Sequence, residues 1–322
     1  TSGSIAVSSS IASTSAASGN LMLHSTSDLT FGSSVNVTLA GTGKVLTLRA
    51  YNNIVTSGTN TLQTTKDSNS KLILWSNYDG AGGGYVRLGA ATALSTAGGA
   101  TTADQTGGGS ITIGGGSTGA AMTFSASPTG AALSDSTLEG FRAPNSGTAA
   151  NGFTAYSGGG DISIYGSSSV GNGIMIGTGT IIDSGSGAIS ITGYSSFGTG
   201  TGHGIEFQNS DVNGNGIKIL STKTSATAIN ITGTANSAST DGAGVSFWDG
   251  WTNNRILVQA RGAGGNVLIT GTGATGGTVG STSYGIRISQ TDFYASSTGT
   301  ITLNGGTRGI IPNVSGSRGT NS

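Results

Sequence analysis

The side chains able to carry acid–base or nucleophilic chemistry are few in this sequence. It has two histidines, His24 and His203, and no cysteine. A histidine general base needs a third group that orients it, and neither histidine falls in a pattern that pairs it with a carboxylate. We interpret both as surface or loop residues without a catalytic role.

Glycoside hydrolysis usually needs two positioned carboxylates, which neighbouring strands could supply. The acidic residues of the most regular region are Asp161, Asp183, Glu206, Asp211, Asp241 and Asp249. None lies opposite another at equivalent positions of neighbouring repeats. The middle residue of the second strand comes closest to such a pairing, and in successive repeats it is Met175, Glu206, Ser246 and Arg287. We interpret this column as outward and solvated. We therefore predict that the chain is not an enzyme, and polysaccharide binding or cleavage is the alternative.

Metal and phosphate sites are not predicted either. Asp79 in NYDGAGGG (77–84) is a single carboxylate in a glycine-rich stretch, whereas calcium needs several oxygen ligands, so a plain turn is favoured. GTGKV (41–45) lacks the spacing of a phosphate-binding loop. We expect no cofactor.

One stretch, FWDGWTNNR (247–255), interrupts the plain pattern. It places Trp248, Trp251 and Arg255 at a corner between two strands, and such residues are enriched at binding hot spots. The simpler interpretation is a tryptophan that covers the core. Trp75 alternates with Leu72 and Leu74, so if the leucines point inward Trp75 points outward, which makes it a candidate surface contact.

Three N-x-S/T sequons occur, at Asn36, Asn230 and Asn313. Asn230 lies between Ile229 and Ile231, so a strand places it on the outward face, as glycosylation requires. The three are candidate glycosylation sites.

The composition predicts an ordered chain without nucleic-acid partners. Of 322 residues, 60 are glycine, 8% are charged and the formal net charge is zero. Disorder combines low hydrophobicity with high net charge, and nucleic-acid binding needs clustered basic residues. Neither condition is met. No apolar run approaches the roughly 18 residues of a membrane helix, and the N-terminus lacks a signal-peptide pattern.

The chain repeats a unit of three short strands. ISITG (189–193) returns as INITG (229–233) and VLITG (267–271), and GIEF (204–207) returns as GVSF (244–247) and GIRI (285–288). GIKI (216–219), RILV (255–258) and TITL (300–303) are assigned as the third strand. We predict one continuous solenoid over 1–322, less regular over 1–157, with clear repeats over 158–305 and a tail over 306–322.

Two apolar residues separated by one other face the same side of a strand, and so short a strand needs partners above and below. Stacked copies of a three-strand unit with glycine corners form a parallel β-helix, an all-β fold filled by Ile, Val, Leu and Phe. The unit of about 40 residues leaves two alternatives open. It is either one turn with long loops, or two compact turns that would give about 16 turns and a rod of roughly 75 Å.

LTLRAYNNIVTSG (46–58) with KLILWSNYDGAGGGYVRLG (71–89) resembles the repeat region of filamentous-haemagglutinin-type adhesins. GGGSITIGGG (107–116) and GGGDISIYG (158–166) are similar phrases. The resemblance implies a right-handed parallel β-helix that crosses the outer membrane unfolded by two-partner secretion and folds outside.

Two overlapping functions follow for an extracellular or cell-surface rod. One is an adhesin stalk whose loops bind host or neighbouring-cell glycans or proteins. The other is a fibre or sheath subunit that self-associates head to tail through open solenoid ends, where unpaired strand edges meet. In either case we expect the chain to have no membrane span and no nucleic-acid partner.

Overall fold

In the computed structural model the protein is a parallel β-solenoid. The structure describes residues 3–13, 19–80, 83–98, 106–116, 132–134, 139–144, 152–198, 202–209, 216–236, 242–249, 255–275 and 283–312. The described strands form three sheets, in which every strand pair is parallel. The predicted fold class is confirmed.

Sheet A has ten strands, and each neighbour in the stack comes from the next turn of the chain. They are β1 (Ile5–Val7), β4 (Leu29–Phe31), β7 (Ile54–Thr56), β10 (Val86–Arg87), β14 (Phe141–Ala143), β17 (Ile174–Gly177), β20 (Ile205–Asn209), β23 (Val245–Asp249), β26 (Ile286–Ile288) and β29 (Ile310–Pro312).

Sheet B has nine strands in the same order of turns. They are β2 (Ile11–Ser13), β5 (Asn36–Leu39), β8 (Thr61–Thr64), β11 (Ala93–Ser95), β15 (Thr154–Tyr156), β18 (Ile181–Asp183), β21 (Lys218–Ser221), β24 (Ile256–Ala260) and β27 (Thr291–Tyr294).

Sheet C contains the ISITG-type strands, with β13 (Ala132–Ser134) paired beside β16. The others are β3 (Leu21–Ser25), β6 (Val45–Ala50), β9 (Lys71–Ser76), β12 (Ser110–Gly115), β16 (Ile162–Ser168), β19 (Ile189–Ser195), β22 (Thr227–Ala235), β25 (Asn266–Thr272) and β28 (Ile301–Asn304). The single helical segment of the described chain is a 3-10 turn, Gly306–Arg308.

Each three-strand unit is one turn, so the compact alternative is wrong. Register partners of sheet C are 25 residues apart between Leu21 and Leu46 and 51 apart between Ile111 and Ile162. Because the strands remain in register, the additional residues lie in the connections. The ten strands of sheet A extend roughly 43 Å at the usual strand spacing, well short of the rod expected for compact turns.

One strand assignment in the repeat was wrong. TITL is β28 of sheet C, in register with β25, and so begins the next turn. The third strand of that repeat is β27, which pairs with β24 in sheet B. In β27, Phe293 takes the inward place of Val258, and its threonine, aspartate and tyrosine neighbours conceal the apolar pattern.

The interior is one apolar core built from columns of like residues. Ile162, Ile189, Ile229 and Val267 stack in one column and are buried. Phe207 and Phe247 are register partners whose rings stack at 4.8 Å with an interplanar angle of 4°. Offset aromatic stacking adds about 0.5–1.5 kcal/mol to the gain from burial.

Glycine fills the inward position where sheet C meets the following strand of sheet A. A Cβ on Gly193, Gly233 or Gly271 would lie 2.2, 2.0 or 1.9 Å from the carbonyl oxygen of Gly204, Gly244 or Gly285. The atom that each Cβ would meet belongs to the backbone, so it cannot move aside as a flexible side chain could. The glycine of the ISITG motif is therefore a packing requirement of this corner.

Side chains at other corners bond the backbone of the next turn. The Asp161 carboxylate accepts from the Ala188 N–H at 2.7 Å, and the Asn266 side chain accepts from the Thr300 N–H at 2.8 Å. Such bonds satisfy backbone groups that the corner leaves outside the sheets.

We expect Gly233→Ala to destabilise the solenoid by about 3 kcal/mol or more, the upper end of overpacking effects, because its Cβ meets backbone. The matched control is Gly198→Ala, whose Cβ has no atom within 4 Å. Urea unfolding followed by circular dichroism measures both. Equal midpoints for the two variants would contradict the tight corner.

Candidate functional site

The outward side chains of sheet A bring three arginines and a glutamate onto one surface. Successive strands place Val55, Arg87, Arg142, Met175, Glu206, Ser246 and Arg287 in one file, each the register partner of the next. A second file carries Gln208 beside Trp248. We call this surface the sheet A face. It gathers two arginines that lie 55 residues apart in the sequence, Arg87 and Arg142, onto neighbouring strands.

An open cleft of about 410 Å³ lies at the β7 and β10 side of this face. Its lining residues are Val55, Thr56, Ser57, Tyr85, Arg87, Leu88, Gly89, Ala90 and Pro144. Arg87 and Ser57 are exposed there, and Tyr85 is half-buried. Thr56 is occupied within the fold, since its hydroxyl oxygen bonds Thr92 Oγ1 at 2.7 Å and accepts from the Gly89 N–H at 2.8 Å.

A charged cluster lies beside the cleft. Arg142 Nη1 is 3.3 Å from Glu139 Oε2, and Asn172 Nδ2 donates to Glu206 Oε2 at 2.6 Å. Burial is the main cause that raises the pKa of Glu206, and the charge of Glu139 adds to it. The Asn172 hydrogen bond, Arg287 and Arg142 act in the opposite direction. Both carboxylates already have partners in the fold.

The column of Met175, Glu206, Ser246 and Arg287 points outward as expected, but it is not solvated. Ser246 and Met175 are buried, while Glu206 and Arg287 are partly buried. A strand pattern predicts the direction of a side chain but not what covers it. The prediction of a solvated column is therefore wrong.

His203 lies in the connection before β20, so it is a loop residue, but at 4% exposure it is buried and not a surface residue. Its backbone N–H donates to Asn172 Oδ1 at 2.8 Å, and its imidazole Nδ1 accepts from the Ala243 backbone N–H at 3.0 Å. Asn172 thus joins Glu206 to the backbone at His203, and the imidazole continues the contact to the next turn. These bonds support a structural role for His203.

The candidate binding residues near the corner at 247–255 lie on two different sheets. Trp248 is half-buried on the sheet A face, whereas Arg255 precedes β24 of sheet B. The Arg255 side chain is 63% exposed, and its Nη1 is 2.6 Å from Asp292 Oδ1. Trp251 lies outside the described residues.

Trp75 does not form an exposed contact. Leu72 and Leu74 point inward as assumed, and Trp75 is on the opposite side of the strand. However, its side chain is only 1% exposed, because it packs with Val45, Ile73 and Tyr78, and its Nε1 donates to the Gly116 carbonyl at 2.8 Å. The prediction of a surface contact is wrong for Trp75.

The same outward region of sheet C buries a cation among aromatic rings. Arg49 is the register partner of both His24 and Trp75 and is fully buried. Its guanidinium carbon lies 4.0 Å from the centre of the Tyr78 ring, a cation–π contact. Arg49 Nη2 is also 3.4 Å from His24 Nδ1. Burial, followed by the charge of Arg49, lowers the pKa of His24.

The two described sequons occupy different environments. Asn36 is exposed at the start of β5, and its Oδ1 accepts from the Thr61 N–H at 2.9 Å. Asn230 is half-buried between the buried Ile229 and Ile231, on the outward side of β22. Asn313 lies outside the described residues. Glycosylation stays a prediction at all three.

The acids considered for catalysis are dispersed. Asp183 is buried and its Oδ2 accepts from Arg261 Nη2 at 3.0 Å, while Asp161 bonds the Ala188 backbone. Asp211 and Asp241 lie outside the described residues, and of Asp249 only the strand position is described. Within the described ranges, no three His, Cys, Asp or Glu residues group as metal ligands would, Asp79 included.

Comparison with known proteins finds no significant match to a protein-family model, a curated protein or a solved structure. The resemblance to filamentous-haemagglutinin-type repeats therefore remains a prediction from the sequence. No helix in the described part of the chain is long and apolar enough to cross a bilayer.

We expect the solenoid to lose stability as the pH falls below about 6.5, partly through His24. The unfolded chain takes up a proton near the ordinary value of 6.5, whereas the folded chain resists it. Stability from this site is thus full above that pH and is lost on acidification. His24→Gln should reduce the slope of unfolding free energy against pH between 7 and 5, by at most about 1.4 kcal/mol per pH unit. An unchanged slope would refute this assignment.

Glu206 should act in the opposite sense. The pKa of Glu206 is higher in the folded chain than in the unfolded chain. The side chain therefore stabilises the fold below its ordinary pKa of 4.5, and this stability is lost as the pH rises through the pKa of the folded state. We expect Glu206→Gln to raise the Tm at pH 7 by roughly 2–4 °C. At pH 4, where the wild-type side chain is mostly protonated, the two proteins should melt together. A variant less stable than wild type at pH 7 would rule out an unfavourable charge.

Proposed function

We propose that the chain is the β-solenoid rod of a secreted bacterial surface adhesin or fibre, acting outside the cell by stacking and binding. The observation that carries this proposal is the in-register stacking of three parallel sheets, which gathers the inward apolar side chains of the described strands into one continuous core. Such a fold builds length, and the scarcity of charge leaves most outward surface chemically plain. Catalysis is not part of the proposed role.

The terminal strands of the described solenoid support end-to-end stacking. Ile301 of β28 and Ile310 of β29 continue the inward columns of Val267 and Ile286, yet they are 41% and 42% exposed. At the other end, Ile5, Ile11 and Leu21 are core residues that are only partly buried.

The occupant that fits these ends is a second copy of the chain, since both ends have the same three-sheet cross-section. A first turn placed on a last turn would continue the sheets and the core, and the neutral net charge would not oppose the contact. This head-to-tail contact is heterologous and does not close, so it leads to filaments.

Polysaccharide binding is the second candidate, and the cleft on the sheet A face favours it. Arg87, Tyr85 and Ser57 line a concavity of about 410 Å³, within the range of sites for small ligands. Cleavage has less support, because Glu139 and Glu206 are engaged by Arg142 and Asn172.

Electron microscopy and sedimentation velocity of the 322-residue chain over a range of concentrations test end-to-end stacking. We expect filaments of uniform width that lengthen with concentration. Ile301→Lys, which places a charge in the exposed end of the core, should reduce assembly by about tenfold or more. Thr302→Lys adds the same charge at the next, outward residue of β28 and should assemble as wild type.

Short single rods at every concentration would contradict self-stacking and leave the stalk alternative. Equal loss of assembly in both lysine variants would assign the effect to net charge and not to the core contact.

A further inference from the structure

The cleft on the sheet A face contains an exposed cation that has no counter-ion among the described residues. The Arg87 side chain is exposed on β10 and makes no hydrogen bond or ion pair with any residue that the structure describes. Its neighbours in the outward file are Val55, which is apolar, and Arg142, which carries the same charge. Arg142 differs from it in being paired with Glu139 at 3.3 Å.

This arrangement leaves one positive charge at the cleft. The register of the turns places this arginine beside another arginine, and the Glu139 carboxylate is engaged by Arg142. The planar guanidinium presents two parallel N–H groups, which match a carboxylate better than a neutral hydroxyl group. The ligand that would stabilise Arg87 is therefore an anion.

The remaining lining favours a sugar as the carrier of that anion. Tyr85, Val55 and Pro144 offer an aromatic and aliphatic wall, and the Ser57 hydroxyl is exposed at the rim. Aromatic rings pack against the C–H faces of sugar rings, while hydroxyl groups bond the sugar edges. Gly89 lines the cleft and packs tightly on the turn before it, because a Cβ there would lie 2.5 Å from the Gly58 nitrogen.

We propose that this cleft binds an acidic saccharide, with its carboxylate on the Arg87 guanidinium and a ring face against Tyr85. This inference deepens the proposed adhesive role by naming a ligand class and a place for it. It does not depend on filament assembly, because the cleft lies on the side of the solenoid and the end contacts use β28 and β29.

Isothermal titration calorimetry at low salt tests the proposal with three matched probe pairs. These are trigalacturonate, a hyaluronan tetrasaccharide and sialyllactose, each with its methyl ester. We expect at least one acid to bind and its neutral counterpart to bind about tenfold more weakly or worse, since only the acid offers the ion pair. The affinity should fall as salt is added.

Arg87→Gln should weaken binding of the acidic probe by about tenfold or more and leave a neutral probe unaffected. Arg255→Gln is the matched control, since it removes another exposed arginine, one already paired with Asp292. Tyr85→Leu should weaken the acidic and neutral probes alike. Circular dichroism melting of each variant separates a lost contact from a lost fold.

The proposal is overturned if none of the acids binds below millimolar concentration, or if acid and neutral partner bind equally. It is also overturned if Arg87→Gln binds as wild type, or if inorganic sulfate binds as well as the saccharide. Any of these results leaves the assembly test on Ile301 unaffected, so failure here is distinguishable from failure of the proposed rod.

Discussion

The in-register stacking of each turn on the one before it is the constraint on which the rest of the structure depends. Strands of three to seven residues, such as β18 and β19, are too short to hold a sheet alone. Stacked in parallel, each strand gains hydrogen-bond partners from the turns on either side. The same register places like side chains above one another, which gives the isoleucine column of sheet C and the paired phenylalanines of sheet A.

Turns of unequal length fit this stack because the corners fix where each strand begins. The glycine of the ISITG motif allows the sheet C backbone to touch the next strand of sheet A, and side chains such as Asp161 bond the turn beyond. Between those points the connection is free to lengthen, since loop closure costs little more free energy per added residue. A turn of 51 residues can therefore lie beside one of 27, as the partners of Ile162 show.

Register also decides the chemistry of the outer surface. It places Arg87 beside Arg142, although no motif in the sequence links them, and it places Glu206 beside Met175 in the column that the repeats predict. Some of the resulting neighbours are unfavourable for the fold, such as the partly buried Glu206 carboxylate and His24 beside buried Arg49. Others leave a charge available, as at Arg87. In a chain this poor in charge, those few positions are where binding is expected.

The strand pattern was readable from the sequence because inward residues at alternate positions have a local cause. It located the strands containing ISITG, INITG and VLITG, their shared column, and the outward phase of Trp75. It fails at β27, where polar residues surround the single inward Phe293, so the pattern assigns TITL to the third strand although TITL belongs to sheet C.

The sequence by itself therefore determined the parallel solenoid and its inward columns, since each short strand records which of its side chains face the core. Only the tertiary structure decided turn length, the burial of Trp75 and His203, and the meeting of Arg87 with Arg142. Those features depend on which residues from distant turns lie opposite or cover one another. Connections of variable length separate such residues in the sequence. The alternation within one strand does not show which residue of another turn will lie opposite it.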